Sequence, residues 1–230
     1  MKFSVIIGLY NHLKYIPKLL ESLEKQTFQD FEIHFCDDAS TDGTKEFFNA
    51  IEKGDKWQYH RLSGWFKRSS RLAKSLNQGI RKAKGEYCVF IMGDSFPEMN
   101  YLEILNDWVK EDRVLCGIRA NIDGNKLVEL DYRIRKEVIP QEAVLLPSNP
   151  YNMITGNGLS VPTKALGRGW DTRFEGYGGD DNEVAARLYY KGYLFYSIPQ
   201  AILYHNWHKS GETKQATLNL INKIIYNYAC

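Results

Sequence analysis

Residues 3–38 read FSVIIGLYNHLKYIPKLLESLEKQTFQDFEIHFCDD, and this stretch decides the fold. Phe3 to Gly8 is a short, largely apolar run, which predicts a buried strand. Ile16, Leu19, Leu20 and Leu23 then recur at i, i+3, i+4 and i+7, one apolar helical stripe, and Pro17 sits in the first turn where no backbone N–H is required. Phe31 to Cys36 is a second buried strand, closed by the turn-rich Asp37-Asp38-Ala39-Ser40-Thr41-Asp42-Gly43-Thr44. A strand, a helix and a strand in this order place the two strands parallel.

Working outward, the pattern repeats. Phe47, Phe48 and Ile51 mark a helix, Trp57 to Leu62 a strand, and Leu72, Leu76, Ile80 and Ala83 a helix that Gly85 stops before the strand Tyr87 to Met92. Such alternation predicts an α/β fold, a mostly parallel, doubly wound, Rossmann-like sheet flanked by helices. After residue 97 come a helix carrying Tyr101, Ile104, Leu105 and Trp108 and a strand at Val114 to Ile118, and there the rhythm lapses. Asp123-Gly124-Asn125 suggests a hairpin, Pro147 to Pro150 bounds a loop, and Ala201 to Tyr204 reads as a strand. The stripe Leu218, Leu220, Ile221, Ile224, Ile225 predicts a C-terminal helix packing on the domain or on a partner. With no internal repeat, linker or low-complexity tract, residues 1–230 are expected to form one domain.

Composition narrows the function classes. Of 230 residues, 43% are hydrophobic and 25% charged, and the formal charge is +2, which excludes a disordered chain and a general nucleic-acid binder. Met1-Lys2-Phe3-Ser4 runs straight into a strand, so neither a signal peptide nor a membrane span is expected. Cys36, Cys88, Cys116 and Cys230 lack metal-type spacing and suit reduced thiols in a cytoplasmic protein. The stretch Arg61 to Arg71 interleaves cations with aromatics. It reads as a solvated loop, or as a peripheral contact with a membrane surface or lipid-diphosphate.

Ligands of open α/β sheets bind beyond the carboxyl ends of the strands, and carboxylates gather there. Asp37 and Asp38 follow the second strand, Asp94 follows the fourth, and Asp180 with Asp181 open a helix marked by Val184, Ala185 and Leu188. Any one of these is an ordinary turn or N-cap residue, but together they outline a site. Seven of the 18 glycines, Gly156, Gly158, Gly167, Gly169, Gly176, Gly178 and Gly179, crowd one region, as they do where backbone approaches a ligand.

The ordered set of motifs resembles the inverting GT-A glycosyltransferases of family 2. Phe3 to Asn11, Gln26-Thr27-Phe28, Asp37 to Thr44, Leu76-Asn77-Gln78-Gly79-Ile80 and Ala83 to Tyr87 are similar to that family's N-terminal half. Gly169 to Glu183, closed by Tyr204-His205-Asn206-Trp207-His208, looks like a galactosyltransferase-type C-terminal motif. The resemblance implies a nucleotide-binding half over 1–97, an acceptor and catalytic half over 98–210, and a C-terminal helix over 211–230.

It further implies that Gly8, Tyr10, Asp37 and Asp38 hold the uracil and ribose of a UDP-sugar, with Arg71 balancing nucleotide charge. Asp94 occupies the second position of the family's metal-binding Asp-x-Asp motif, where Met92 replaces the first Asp, and His205 matches the second protein ligand, with His208 as the alternative. Mn²⁺, or Mg²⁺, is the implied cofactor. Asp181 matches the base that takes the acceptor hydroxyl's proton, with Asp180 orienting hydroxyls. Gly179 lets backbone approach the sugar, Trp170 and Tyr177 are candidates to stack on it, and Asn157 falls on the donor-side loop. The expected partners are a UDP-sugar donor and a glycan or lipid-linked glycan acceptor. Adjacent carboxylates raise at least one pKa, while a helix N-terminus opposes the shift. The rival expectation, prompted by Met92, is a non-catalytic nucleotide-sugar or glycan-binding module; a nucleotidyltransferase would leave Asp180, Asp181 and His205 without a role.

Overall fold

A computed structural model describes residues 1–51, 54–64, 71–131, 144–146, 153–174, 178–208 and 215–229, with the side chains of Asp131, Gln215 and Ala229 excepted. Most of the basic stretch at 65–70, Gly176, Tyr177 and Cys230 lie outside the described residues.

The first half contains β1 (Phe3–Leu9), α1 (Ile16–Glu24), β2 (Phe31–Asp37), α2 (Thr44–Ala50), β3 (Trp57–Arg61), α3 (Leu72–Ile80) and β4 (Tyr87–Met92). Every residue of β1 and β2 is buried, including the polar Ser4, Glu32, His34 and Asp37. The register β1 to β2 and β1 to β4 is in step, Phe3 opposite both Phe31 and Tyr87, and Gly8 opposite both Cys36 and Met92. The three strands therefore end level, and the segments after them share one shelf.

Alternation across β1 splits the core. Val5, Ile7 and Leu9 pack with Ile16, Leu19 and Leu23 of α1 on one face, while Ile6 packs with Ala73 and Leu76 of α3 on the other. A Cβ at Gly85 would lie 2.4 Å from the Ser4 backbone nitrogen, so the turn into β4 admits only glycine. Helix α3 ends at Ile80, short of Ala83.

The second half adds β5 (Ser95–Pro97), α4 (Tyr101–Trp108), β6 (Arg113–Asp123), β7 (Lys126–Asp131), β8 (Val144–Leu145), β9 (Leu159–Pro162), α5 (Thr163–Leu166), α6 (Asp180–Tyr190), β10 (Leu194–Asn206) and α7 (Gln215–Ala229). The sheet order is β3-β2-β1-β4-β9-β6-β10-β5, with β7 on β6 and β8 on β10. The sheet is mostly parallel, as expected. Its exceptions lie in this half, where β9 runs antiparallel to both β4 and β6, and β5 antiparallel to β10. Strand β10 starts at Leu194, well before the expected Ala201, and its register on β6 shifts between Ile198 and Ile202, around Pro199, which has no N–H for the ladder. Gly124 turns the β6–β7 hairpin at φ 59°. Helix α7 lays Ile221 and Ile224 against Phe174.

Cys36, Cys88 and Cys116 are free and buried, and burial pushes each thiol up to about 12, so they behave as small hydrophobes. No helix among the described residues is long and apolar enough to cross a membrane.

Beneath α3, Nδ1 of the fully buried His34 lies 3.0 Å from Nε2 of His60, the rings stack, and Nε2 of His34 lies 3.3 Å from Glu32. Burial lowers both histidines, His60 to about 4, where His34, Lys82 and Arg81 also oppose its charging. The unfolded chain, with histidines near 6.5, binds more protons than the folded one between about pH 6.5 and 4. Stability is therefore full above about pH 6.5 and lost as pH falls toward 4. The urea midpoint is expected to be lower at pH 5 than at pH 7, and His60→Gln, which keeps a hydrogen-bonding group but cannot charge, should flatten that slope.

Candidate active site

The shelf above β1, β2 and β4 is built from carboxylates that the chain itself occupies. Oδ1 of the fully buried Asp37 accepts from the Ser40 N–H at 2.9 Å and its hydroxyl at 2.5 Å; Oδ2 accepts from Tyr59 at 2.6 Å and Arg61 at 2.5 Å. Asp38 accepts from the Arg71 backbone N–H at 2.6 Å and its Nε at 2.9 Å, and the same guanidinium donates to the carbonyls of Ser63 and Gly64. Asp37, Asp38 and Arg71 thus fasten the loop after β2 to β3 and to the start of α3. Arg71's charge, expected to face a nucleotide, is already met by Asp38. Asn11 and Ala39 hold φ of 55° and 59° on the same shelf, an unusual backbone for side-chain-bearing residues. Tyr10 is 53% exposed and open to a ligand. Gly8 has a packing reason: a Cβ there would lie 2.8 Å from Leu72 Cδ1 and 3.1 Å from Met92 Sδ.

Asp94, one turn beyond β4, is 5% exposed. Its Oδ1 accepts from Ser95 at 3.2 Å, and its backbone carbonyl accepts from both nitrogens of Asn206. Oδ2 faces three imidazole nitrogens, Nε2 of His208 at 3.1 Å, of His205 at 3.5 Å and of His12 at 3.8 Å. Burial alone would raise this carboxyl; the hydrogen bond to His205, the charge of His12 and then His205 and His208 outweigh it and hold Asp94 well below the usual carboxylate range. Burial lowers His12 in turn.

Ligand atoms of Asp94, His205 and His208 all lie within 4.8 Å of one another. One carboxylate oxygen and two imidazole nitrogens form a donor set that fits a divalent cation of the Mn²⁺ type. His208, expected only as an alternative to His205, stands beside it. The sequence reading missed His12, because nothing local marks it; the β1–β4 register alone carries it to Asp94. Asn157 bridges the same turn, accepting from the Met92 N–H at 3.0 Å and donating to Ser95 Oγ at 2.8 Å.

The second carboxylate group opens α6. Gly179, its N-cap, has φ 90°, and a Cβ there would come within 2.7 Å of Ile221 in α7, so both backbone and packing demand glycine. Asp181 accepts from the Gly156 N–H at 3.2 Å and the Asn182 N–H at 2.9 Å. Burial, and then the charge of Asp181, push Asp180 up to about 7. The helix is anchored from behind: the fully buried Glu183 pairs with Arg187 at 3.0 Å, and Arg187 donates to the carbonyls of Leu166 and Gly169. Asn77 of α3 binds the Trp170 backbone on both sides, accepting from its N–H at 2.8 Å and donating to its carbonyl at 2.9 Å.

Trp170 requires a correction. The ring expected to stack on a sugar is 2% exposed, meets Phe90 edge-on and underlies Gly156, and its indole N–H has no acceptor among the described residues. A bulky aromatic in a glycine-rich loop is core here, and it supports the Gly156 turn on which Asp181 rests.

A Rossmann-like half carrying the strand-end shelf, joined to a second half that brings carboxylates and histidines to it, is the GT-A glycosyltransferase fold. The crystal structure of S. aureus TarS 1–349 in complex with UDP-GlcNAc matches with a TM-score of 0.77 at 22% identity, over 99% of this chain and 67% of that one. GalNAc-T7, crystallised with UDP, GalNAc and Mn²⁺, matches with 0.74 at 16% identity, over 98% and 48%. The chain belongs to glycosyl transferase family 2, whose model matches residues 4–161. Among curated relatives, chondroitin synthase from Escherichia coli is 27% identical over 88% of this chain and 34% of that protein. Poly(ribitol-phosphate) beta-N-acetylglucosaminyltransferase TarS from Staphylococcus aureus is 38% identical over 63% and 25%. The chain thus matches 34% or less of the length of these two relatives.

The shelf geometry separates side chains bonded within the chain from exposed ones. Asp38→Ala strands a buried guanidinium and should lower the urea unfolding free energy by roughly 3 kcal/mol. Tyr10→Ala, at an exposed position, should stay within about 0.5 kcal/mol of wild type in the same titration.

Proposed function

We propose that this chain is the catalytic domain of an inverting glycosyltransferase that moves a hexose or N-acetylhexosamine, of the Gal, GalNAc or Glc type, from a UDP-sugar to a glycan or lipid-linked glycan acceptor. The observation that carries the reading is the convergence of Asp94, His205 and His208 beside a second, separate carboxylate pair. The relatives support it: TarS, a poly(ribitol-phosphate) beta-N-acetylglucosaminyltransferase, was crystallised with UDP-GlcNAc, and another relative is a chondroitin synthase. In this reading residues 1–97 receive the nucleotide and residues 98–210 supply the acceptor side.

Each group then has a task. Tyr10 offers an exposed ring for the base, and the loop that Asp37, Asp38 and Arg71 make rigid presents backbone around it. Asp94, His205 and His208 would hold the divalent cation, Mn²⁺ first and Mg²⁺ second, which as a Lewis acid offsets charge on the departing UDP. Asp181, aimed by two backbone N–H groups, accepts the proton of the acceptor hydroxyl as that oxygen attacks the anomeric carbon from the face opposite UDP. Asp180, protonated below about pH 7, orients a hydroxyl as donor or acceptor.

Met92 in place of an acidic residue favours a second reading, a nucleotide-sugar-binding module without turnover. A screen of UDP-sugars for UDP release separates the two. Release should require Mn²⁺ and stop with EDTA, and Asp181→Asn should lower kcat about 10²- to 10⁴-fold with UDP affinity unchanged. No release from any donor with a broad acceptor pool would favour the binding module.

The raised Asp180 sets the pH dependence. A carboxyl lifted by burial and by its neighbour loses its proton only as pH rises through about 7; the second negative charge then favours the positive charge building at the anomeric carbon, so kcat/KM should climb across that range and level off above it. In Asp180→Asn that second charge never forms, and the climb near pH 7 should disappear.

A further inference from the structure

A row of directly opposed residues crosses the second half of the sheet: Glu129 on β7 faces Asn121 on β6, Asn121 faces His205 on β10, and His205 faces Ser95 on β5. Directly opposed residues project from the same face, so the four side chains form one polar line ending at Asp94. Oε1 of Glu129 accepts from Nδ2 of Asn121 at 2.8 Å, and Oδ1 of Asn121 lies 2.8 Å from Nδ1 of His205. Ser95, at the far end, donates to Asp94 Oδ1 and leaves Oδ2 for the histidines.

The chemistry of the end group fixes the rest. An ionised carboxylate only accepts, so Glu129 compels Asn121 to turn its NH₂ outward and its carbonyl toward His205. That carbonyl also only accepts, so Nδ1 of His205 must carry the proton, and Nε2 is the nitrogen left to ligate a cation at the Asp94 site. The alignment depends on one irregularity. The β6–β7 register pairs Ile122 with Leu127 but Asn121 with Glu129, so Val128 is an extra, bulged residue. Without the bulge Val128 would oppose Asn121, and Glu129 would project from the other face. Asn121 is 3% exposed, whereas Glu129 lies on the exposed hairpin.

We propose that Asn121, oriented by Glu129, is a positioning residue that locks His205 in its Nδ1–H tautomer and so offers Nε2 to a divalent cation held with Asp94. The inference rests on the cation reading above, and its test separates the two. Two measurements apply to each variant: the ¹⁵N chemical shifts of His205 in metal-free protein, and Mn²⁺ affinity from the EPR signal of the free ion, with and without UDP.

Wild type should show a protonated Nδ1. Asn121→Leu should lose it and bind Mn²⁺ about 10- to 100-fold more weakly. Glu129→Gln, at an exposed position that leaves the fold intact, lets the amide turn over and should give mixed tautomers with Mn²⁺ binding roughly three- to tenfold weaker. Asn121→Asp alone sets two carboxylates against each other. Combined with Glu129→Gln it restores the direction of donation, since the β7 amide and the His205 Nδ1–H both donate to the carboxylate now on β6, and it should recover the tautomer and most of the affinity.

The proposal is overturned by an Nε2–H tautomer in wild type, by E129Q and N121L leaving tautomer and affinity unmoved, or by a double variant no better than N121D. Wild type that fails to bind Mn²⁺ counts against the cation reading, while the metal-free tautomer still judges the relay.

Discussion

A buried, ionised carboxylate has to be met by positive charge or by hydrogen-bond donors, and Asp94 draws them from every quarter of the fold. The loop after β1 brings His12, β5 brings Ser95, the end of β10 brings His205 and Asn206, and the segment beyond brings His208. These segments are far apart in the chain. They meet because β1 and β4 end level and because β10 lies between β6 and β5. A slip of one residue in either pairing would turn the relevant side chains to the opposite face and leave Asp94 unpaired. This one side chain ties segments from both halves of the sheet together.

Much of the first half is legible in sequence because its strands are rich in apolar and aromatic residues and its helices are periodic. Phe3–Leu9, Phe31–Asp37 and Tyr87–Met92 agree with their expected positions to within a residue. The second half is less so. Strand β9 is only Leu159-Ser160-Val161-Pro162, too short for periodicity and ending in a proline, yet it is the antiparallel insert that joins β4 to β6. The beginning of β10 alternates buried and half-buried residues and bends at Pro199, so only its apolar end stands out.

The candidate site divides in the same way. Asp94, Asp180 and Asp181 could be singled out from residue type and position and His205 from the family resemblance, and the fold brings histidines to Asp94. Asp37, Asp38 and Arg71 have the right chemistry for a nucleotide, but partners within the chain occupy them, a tertiary fact with no local signature. Trp170 reads alike as sugar platform or core, and burial decides it. His12, Asn121 and Glu129 are invisible in sequence, since their roles depend on register and on the bulge at Val128.

The central claim is that Asp94, His205 and His208 form a divalent-cation centre for a UDP-bearing donor. Crystals grown with UDP and Mn²⁺, measured at a wavelength where manganese scatters anomalously, test it most directly. The account predicts an anomalous peak within bonding distance of Asp94 Oδ2 and a histidine Nε2, touching the diphosphate. Clear density for UDP with no such peak, or a manganese peak bound to other residues, would contradict it.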